Sequence, residues 1–317
     1  MKRKTSKIIF YQIFLSILVL TACNNGQKHN NDGSNGNNEE VAFSAPATPD
    51  SSTYLKVANF LSDEEVDNII DQETKLSNGK TRNRGIKPVP QDGDDFRRAM
   101  LDNVYWHKVS VKEGDFRGAS MRSANCEESN FSNSDFRAAD IRWTLFNHSM
   151  LSNCNFSQAK LFHVHVNFAN MENCDFRGAN MFGMEGHHAI MRNSDMTNAL
   201  MKDTEFTDAD FNRCLLVNTR LIRAVMTGSN FDNVNCTNAD FSGGGLSGTS
   251  FKNAVCTGAN FQGTRLQHAD FSGADLRGCN FYGARMGETV FTGAKNIPEN
   301  VKKHIKDGMV TAIILDR

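Results

Sequence analysis

The sequence predicts one long repeat structure with a period of five, and three observations predict it. Counted in steps of five from Phe96 to Phe291, 39 of 40 positions are apolar, although only 39% of the whole chain is. Two residues before each stands a small residue, from Ala99, Val104 and Val109 to Thr289, with Asp94 and Met184 as the misfits. All five prolines, Pro46, Pro49, Pro88, Pro90 and Pro298, fall outside the stretch, as expected where every backbone N–H is needed for ladder hydrogen bonds. A period of five fits neither the 3.6 of a helix nor the 2 of a strand, so the unit is a structural repeat.

Units such as Ala239-Asp240-Phe241-Ser242-Gly243 and Ala274-Asp275-Leu276-Arg277-Gly278 closely resemble the pentapeptide-repeat family. The resemblance covers about two thirds of the chain. It implies an all-β solenoid, a right-handed quadrilateral parallel β-helix with four repeats to a coil. The central residue and the one two before it point inward; the other three face solvent. Residues 94–293 then form about ten coils, a rod on the order of 50 Å long at about 4.8 Å per coil. Residues twenty apart stack, so Phe96, Phe116, Phe136, Phe156 and Phe176 form one core ladder and Phe211 to Phe291 another. The corner position is Gly or Asn in 22 of 40 repeats, the residues that best adopt positive φ.

Residues 1–22 read as a lipoprotein signal peptide: Lys2, Arg3, Lys4 and Lys7, an apolar run from Ile8 to Leu20, then Leu20-Thr21-Ala22-Cys23. The run is too short for a good membrane span. Small residues before a cysteine resemble the bacterial lipoprotein cleavage box, which implies diacylation of Cys23, palmitate included. The mature chain would then sit in the cell envelope, held to the membrane by that lipid. Asn24 follows, not the aspartate associated with inner-membrane retention, which favours the outer membrane in a Gram-negative source. Residues 23–53 are rich in Asn, Gly, Ser and acids and are expected to be a disordered tether.

The caps come next. Residues 54–93 are expected to be a helix and loop over the first coil, with Ser62 and Glu65 as a capping box. Residues 294–317 are expected to be a helix and strand: Pro298 starts the helix, Val301 and Ile305 continue it and Gly308 closes it. In related proteins such a tail caps the stack and sometimes joins two subunits, so Met309–Leu315 is a candidate homodimer contact.

On side one, Asp95, Asp115, Asp135 and Asp175 precede the central phenylalanines, and Arg97, Arg117, Arg137 and Arg177 follow them. This strip is expected to be a self-neutralising, solvated ladder. Seven cysteines of the repeat face inward without zinc spacing. Cys154/Cys174 and Cys236/Cys256 stack, but in-register spacing of about 4.8 Å exceeds the roughly 3.8 Å between disulfide Cβ atoms, so buried free thiols are expected.

One place departs from the rule. Met184 fills a small position and Gly186 a central one, an exchange that keeps volume and is expected to deform the wall. Around it gather His148, His163, His165, His187 and His188, with Trp143, Leu145 and the outward Phe162, Phe168 and Phe182. Stacking by twenties puts them on coils three to five, around the third side and its corners, with Trp143 beside His163. Apolar groups concentrated on a polar surface suggest a protein partner site. His165, Glu185 and His187 are a second reading, a metal or small-ligand site, because imidazole and carboxylate suit zinc-like ions. Against it, His165 and His187 stand about 7 Å apart by strand rise. A third reading is a tolerant surface with no ligand.

The best-known members of the resembled family mimic DNA with a strongly negative surface and bind gyrase. Here 22 acids and 20 bases lie between Asp94 and Lys295, which argues against DNA mimicry and nucleic-acid binding. No Ser/His/Asp arrangement, phosphate loop, nucleotide fingerprint or paired-carboxylate cleft emerges, so neither an enzyme nor a cofactor is expected. The expectation is a lipid-anchored, noncatalytic envelope protein presenting a rigid β-helical surface for protein–protein interaction. The alternative is a metal- or small-ligand-binding envelope lipoprotein using the His148–His188 cluster.

Overall fold

Each strand bonds to the strand twenty residues ahead, and this one relation generates the molecule. The structure, a computed structural model, describes residues 61–70, 83–84 and 89–310. Parallel bridges join Asp95 to Asp115, Met100 to Ser120, Tyr105 to Asn125 and Ser110 to Asn130, and repeat at that spacing to Asp275 and Lys295. Sides one to four are numbered from these bridges. The Phe96 N–H donates forward to Asp115 O at 2.8 Å, the Asp115 N–H back to Asp94 O at 3.0 Å, and the Ala99 N–H closes the turn on Phe96 O at 2.9 Å. Every corner residue from Arg98 (φ 57) to Gly293 (φ 68) is left-handed, which turns the chain a quarter of the way round.

All the apolar central residues are buried. Phenylalanines stack along the axis at 4.6–5.1 Å from Phe96 to Phe176, and at 4.8–5.4 Å from Phe211 to Phe291. These spacings fall in the favourable range for offset rings. Buried polar groups at small positions are satisfied by backbone carbonyls, Thr204, Thr249 and Thr264 by the one three residues back and most others by one recurring bond across the coils. In that recurring bond Ser129 Oγ donates to Trp106 O at 2.7 Å, Thr144 Oγ1 to Met121 O at 2.6 Å and Cys154 Sγ to Phe131 O at 3.0 Å, each 23 residues back. Serine, threonine and cysteine therefore all suit these sites, where an unpaired hydroxyl would be costly.

At the departure from the repeat, the wall is not deformed as expected. Gly186 N–H donates to Glu205 O at 2.8 Å, Glu205 N–H to Met184 O at 3.0 Å, and the bridges His165–Glu185–Glu205 continue. A Cβ on Gly186 would lie 2.2 Å from Phe206 Cε1. The Phe206 ring thus occupies the space of the missing side chain, and the backbone has no need to move.

The N-terminal helix α1 (Asp63–Ile70) begins with the reciprocal capping pair: Glu65 N–H donates to Ser62 Oγ at 3.2 Å and Ser62 N–H to Glu65 Oε2 at 2.7 Å. It lies along the flank of coils one and two. A Cβ on Gly118 would come within 2.4 Å of Ile70 Cδ1, so the bare corner is what admits the helix. Its last carbonyls accept from two guanidinium groups, Ile69 O from Arg117 Nη1 at 3.0 Å and Ile70 O from Arg97 Nη1 at 3.2 Å. The Asp–Arg strip is consequently not solvated throughout: the Arg117 and Asp115 side chains are each 1% exposed under the helix, against 60% for Arg177. Strand β1 (Asn83–Arg84) pairs in parallel with β2 (Asp94–Asp95), adding a strand before the first coil.

At the other end, β3 (Thr289–Val290), α2 (Glu299–Lys302), β4 (Ile305–Lys306) and β5 (Met309–Val310) form the cap, with antiparallel sheet order β3-β5-β4. The expected helix through Ile305 and Gly308 stops at Lys302. Asp307 (φ 51) and Gly308 (φ 79) instead make a two-residue hairpin turn, whose left-handed pair suits the twist of antiparallel strands. Val301 and Val310 are buried against the core. No helix among the described residues is long and apolar enough to cross a membrane. The signal segment, Cys23, the tether and residues 311–315 of the apolar run lie outside the described residues.

Candidate functional site

Position within the repeat decides where each side chain of the departure region points. Residues 143, 163 and 183 share the corner between sides two and three; residues 148, 168 and 188 share the next. Side three carries Leu145, His165 and Glu185 in one outward column and His187 in the other. Trp143, His148, His163, Phe168 and His188 all hold φ between 51 and 59. That conformation costs an L-residue about 1–2 kcal/mol, and most of the other corners avoid the cost with Gly or Asn.

The rings pair chiefly with one another. At the first corner, Phe162 and Phe182 stack at 5.0 Å and 8°, and Trp143 meets Phe162 edge-on at 5.8 Å. The expected Trp143–His163 neighbourhood is thus mediated by Phe162, whose ring lies 4.3 Å from His163. His163 leans over the bare Gly183, its Nδ1 at 3.1 Å from Gly183 O. Arg142 lies 5.2 Å from the Trp143 ring centroid while bonded to Asp140 at 2.7 Å, and that hydrogen bond first, despite opposing burial, raises the guanidinium's already high pKa. At the second corner His148, Phe168 and His188 form a continuous stack, 4.9 and 4.8 Å apart. Trp143, His148, Phe168 and His188 are exposed, and Leu145, Phe162, His163 and Phe182 half-buried.

The sequence reading missed Met150. It is 49% exposed beside this stack and, with Glu128, Ser129, Asn130 and His148, lines an open depression of about 550 Å³. Its outward position follows from the repeat, but a single thioether carries no aromatic or imidazole signal.

The proposed metal ligands do not converge. His165 Nδ1 lies 3.0 Å from Glu185 Oε2. His187 Nδ1 instead accepts the Thr207 N–H at 3.3 Å, extending a column in which Asn167 Oδ1 accepts the His187 N–H at 2.8 Å. Among the described residues no group of three His, Cys, Asp or Glu is placed to hold a metal ion. The seven described cysteines are all buried, and burial pushes Cys174 and Cys214 up to about 12, away from thiolate reactivity.

A family profile described as pentapeptide repeats matches in 8 copies, over residues 111–137, 139–178, 187–218, 219–255 and 254–293. The interruption at 179–186 contains both Met184 and Gly186. No curated protein matches the chain. Among solved structures it is similar to HetL, a pentapeptide repeat protein involved in heterocyst differentiation regulation from the cyanobacterium Nostoc sp. strain PCC 7120. That alignment has 18% identity and a TM-score of 0.33, covering 61% of this chain and 92% of that one. Full-length QnrB1, a plasmid-mediated fluoroquinolone resistance protein, gives 22% identity and a TM-score of 0.41, covering 59% and 92%. With the repeat profile matched over more than half of its length, this chain belongs to the pentapeptide repeat family and is a right-handed quadrilateral β-helix.

Proposed function

We propose that the protein is a noncatalytic, lipid-anchored component of the bacterial cell envelope whose β-helix presents a rigid surface to a protein partner. The observation that carries the reading is the cluster on coils three to five, where exposed Trp143, Phe168 and Met150 stand among His148, His163 and His188. Five of these rings hold left-handed corners at a conformational cost. Rings gathered at the strained corners of one surface, together with apolar groups that water does not favour, are what a recognition site retains. Anchoring rests on the Leu20-Thr21-Ala22-Cys23 sequence and the polar tract after it.

Quantitative affinity capture from the detergent-solubilised envelope of the source cells tests the surface. A specific partner retained by the parent protein is expected to be lost with Trp143→Ala/Phe168→Ala and kept with Tyr282→Ala, an exposed aromatic on coil ten. Equal capture by all three would refute the surface. Cys23→Ser is expected to move the protein from the membrane to the soluble fraction; continued membrane fractionation would refute the lipid anchor.

A further inference from the structure

Two pairs of cysteines stand twenty residues apart, and the fold treats them differently. Cys154 and Cys174 occupy small positions, and each thiol donates to a carbonyl one coil back, to Phe131 O and Leu151 O, both at 3.0 Å. Cys236 and Cys256 occupy central positions and point into the interior of coils eight and nine. Their sulfurs lie 3.1 Å apart, nearer than the roughly 3.5–4.0 Å of ordinary heavy-atom contact. Both are free thiols with no exposed surface. The third thiol nearby, Cys279, donates to Cys256 O at 2.9 Å and so repeats the small-position bond.

We propose that Cys236 and Cys256 are a two-electron oxidation site, which a disulfide-bearing donor converts into a bond stapling coil eight to coil nine. One protein thiolate attacks the donor disulfide and releases the first donor thiol. The other protein thiolate then attacks the mixed disulfide, forming the Cys236–Cys256 bond and releasing the second. The cysteines are oxidised, the donor is reduced, and the two protons leaving the cysteines end on the two donor thiols. The coil interior gates the reaction, because a buried pair meets a donor only through local opening or before the coils close during folding. The bond to Cys236, then burial, hold the Cys256 thiol well above the ordinary range while the coil is shut. Coil spacing of about 4.8 Å must contract toward the 3.5–4.5 Å of disulfide Cβ atoms, which makes this a readily reduced staple.

The experiment uses the full chain equilibrated with oxidised glutathione, quenched in acid, unfolded, alkylated and mapped by mass spectrometry. A parallel sample is refolded from denaturant with the same donor, so that access cannot limit the reaction. The expected result is a Cys236–Cys256 linkage at least tenfold more abundant than Cys154–Cys174. It is reversed by excess reduced glutathione and abolished in Cys236→Ser. Alkylation of both Cys236 and Cys256 in the refolded sample, or equal linkage of the two pairs, would overturn the proposal.

Discussion

Coils three to five and coils eight to ten share one backbone and dress it differently. In the later coils the corners are mostly glycine, including Gly243, Gly248, Gly258, Gly263, Gly273, Gly278, Gly283 and Gly293. In the earlier coils the same left-handed corners hold Trp143, His148, His163, Phe168 and His188. Inside, coils eight to ten stack Phe241, Phe261 and Phe281 at 5.0 Å. Coil five instead has Gly186 where the rule asks for a large residue, with Phe206 reaching across from coil six. The regular coils therefore define what the fold requires. The difference shows that rings at the earlier corners are an addition to the fold, His148, Phe168 and His188 stacked on each other and Trp143 and His163 set edge-on against Phe162.

Paired substitutions would break or sharpen that contrast. Phe206→Ala is expected to cost the upper part of about 3–5 kcal/mol, because Gly186 leaves nothing to fill the cavity; Phe261→Ala is expected to cost less within that range. Denaturant midpoints compare the two, and the reverse order would mean that Phe206 does not bridge the void. Along side one, Arg117→Ala should cost up to about 3–5 kcal/mol by removing the main partner of the buried Asp115 carboxylate, with Arg97 at 3.8 Å compensating in part, whereas Arg177→Ala should cost less than about 1 kcal/mol. Gly186→Ala is expected to cost about 1–3 kcal/mol through overlap with Phe206, with part recovered by adding Phe206→Leu.

At the corners the comparison is finer. Gly263→Phe should cost about 1–2 kcal/mol, since no ring awaits it. Phe168→Asn should stay within about 1 kcal/mol, because relief at the corner offsets the loss of two ring contacts. Equal penalties for the two would remove the claim that stacking holds the aromatic corners. The smallest effect depends on acid and lies outside both regions. A hydrogen bond from Arg122 first, then one from Ser120, outweigh burial and hold the Asp102 carboxyl at about 2, below its ordinary 3.8. A lowered folded value means that the contribution is complete above about pH 4 and is lost as pH falls toward 2. The difference in Tm between the parent and Asp102→Asn should therefore shrink across that interval.

The coil register and the core were legible because a period of five assigns a direction to every side chain without reference to distant contacts. The capping pair of Ser62 and Glu65 was legible for the same local reason. What was not legible depends on where a helix comes to rest. Nothing local marks Arg117 as buried and Arg177 as exposed; the docking of α1 over Gly118 decides it. The C-terminal hairpin was within reach, since Asp307-Gly308 is a strong turn signal, but the spacing of Val301 and Ile305 also suits a helix. In the candidate site, stacking by twenties located the residues, whereas the mutual pairing of the rings needed side-chain geometry.

The unbroken twenty-residue register has a consequence for how this molecule can change length. One added repeat advances everything after it by a quarter of the way round the rod. Placed after coil five, it would leave Trp143 and Phe168 where they are and swing the hairpin of β4 and β5 to the adjoining side. Four added repeats would restore the orientation and lengthen the rod by one coil. The aromatic corners and the distal cap are thus set at a fixed angle, adjustable only in quarter turns.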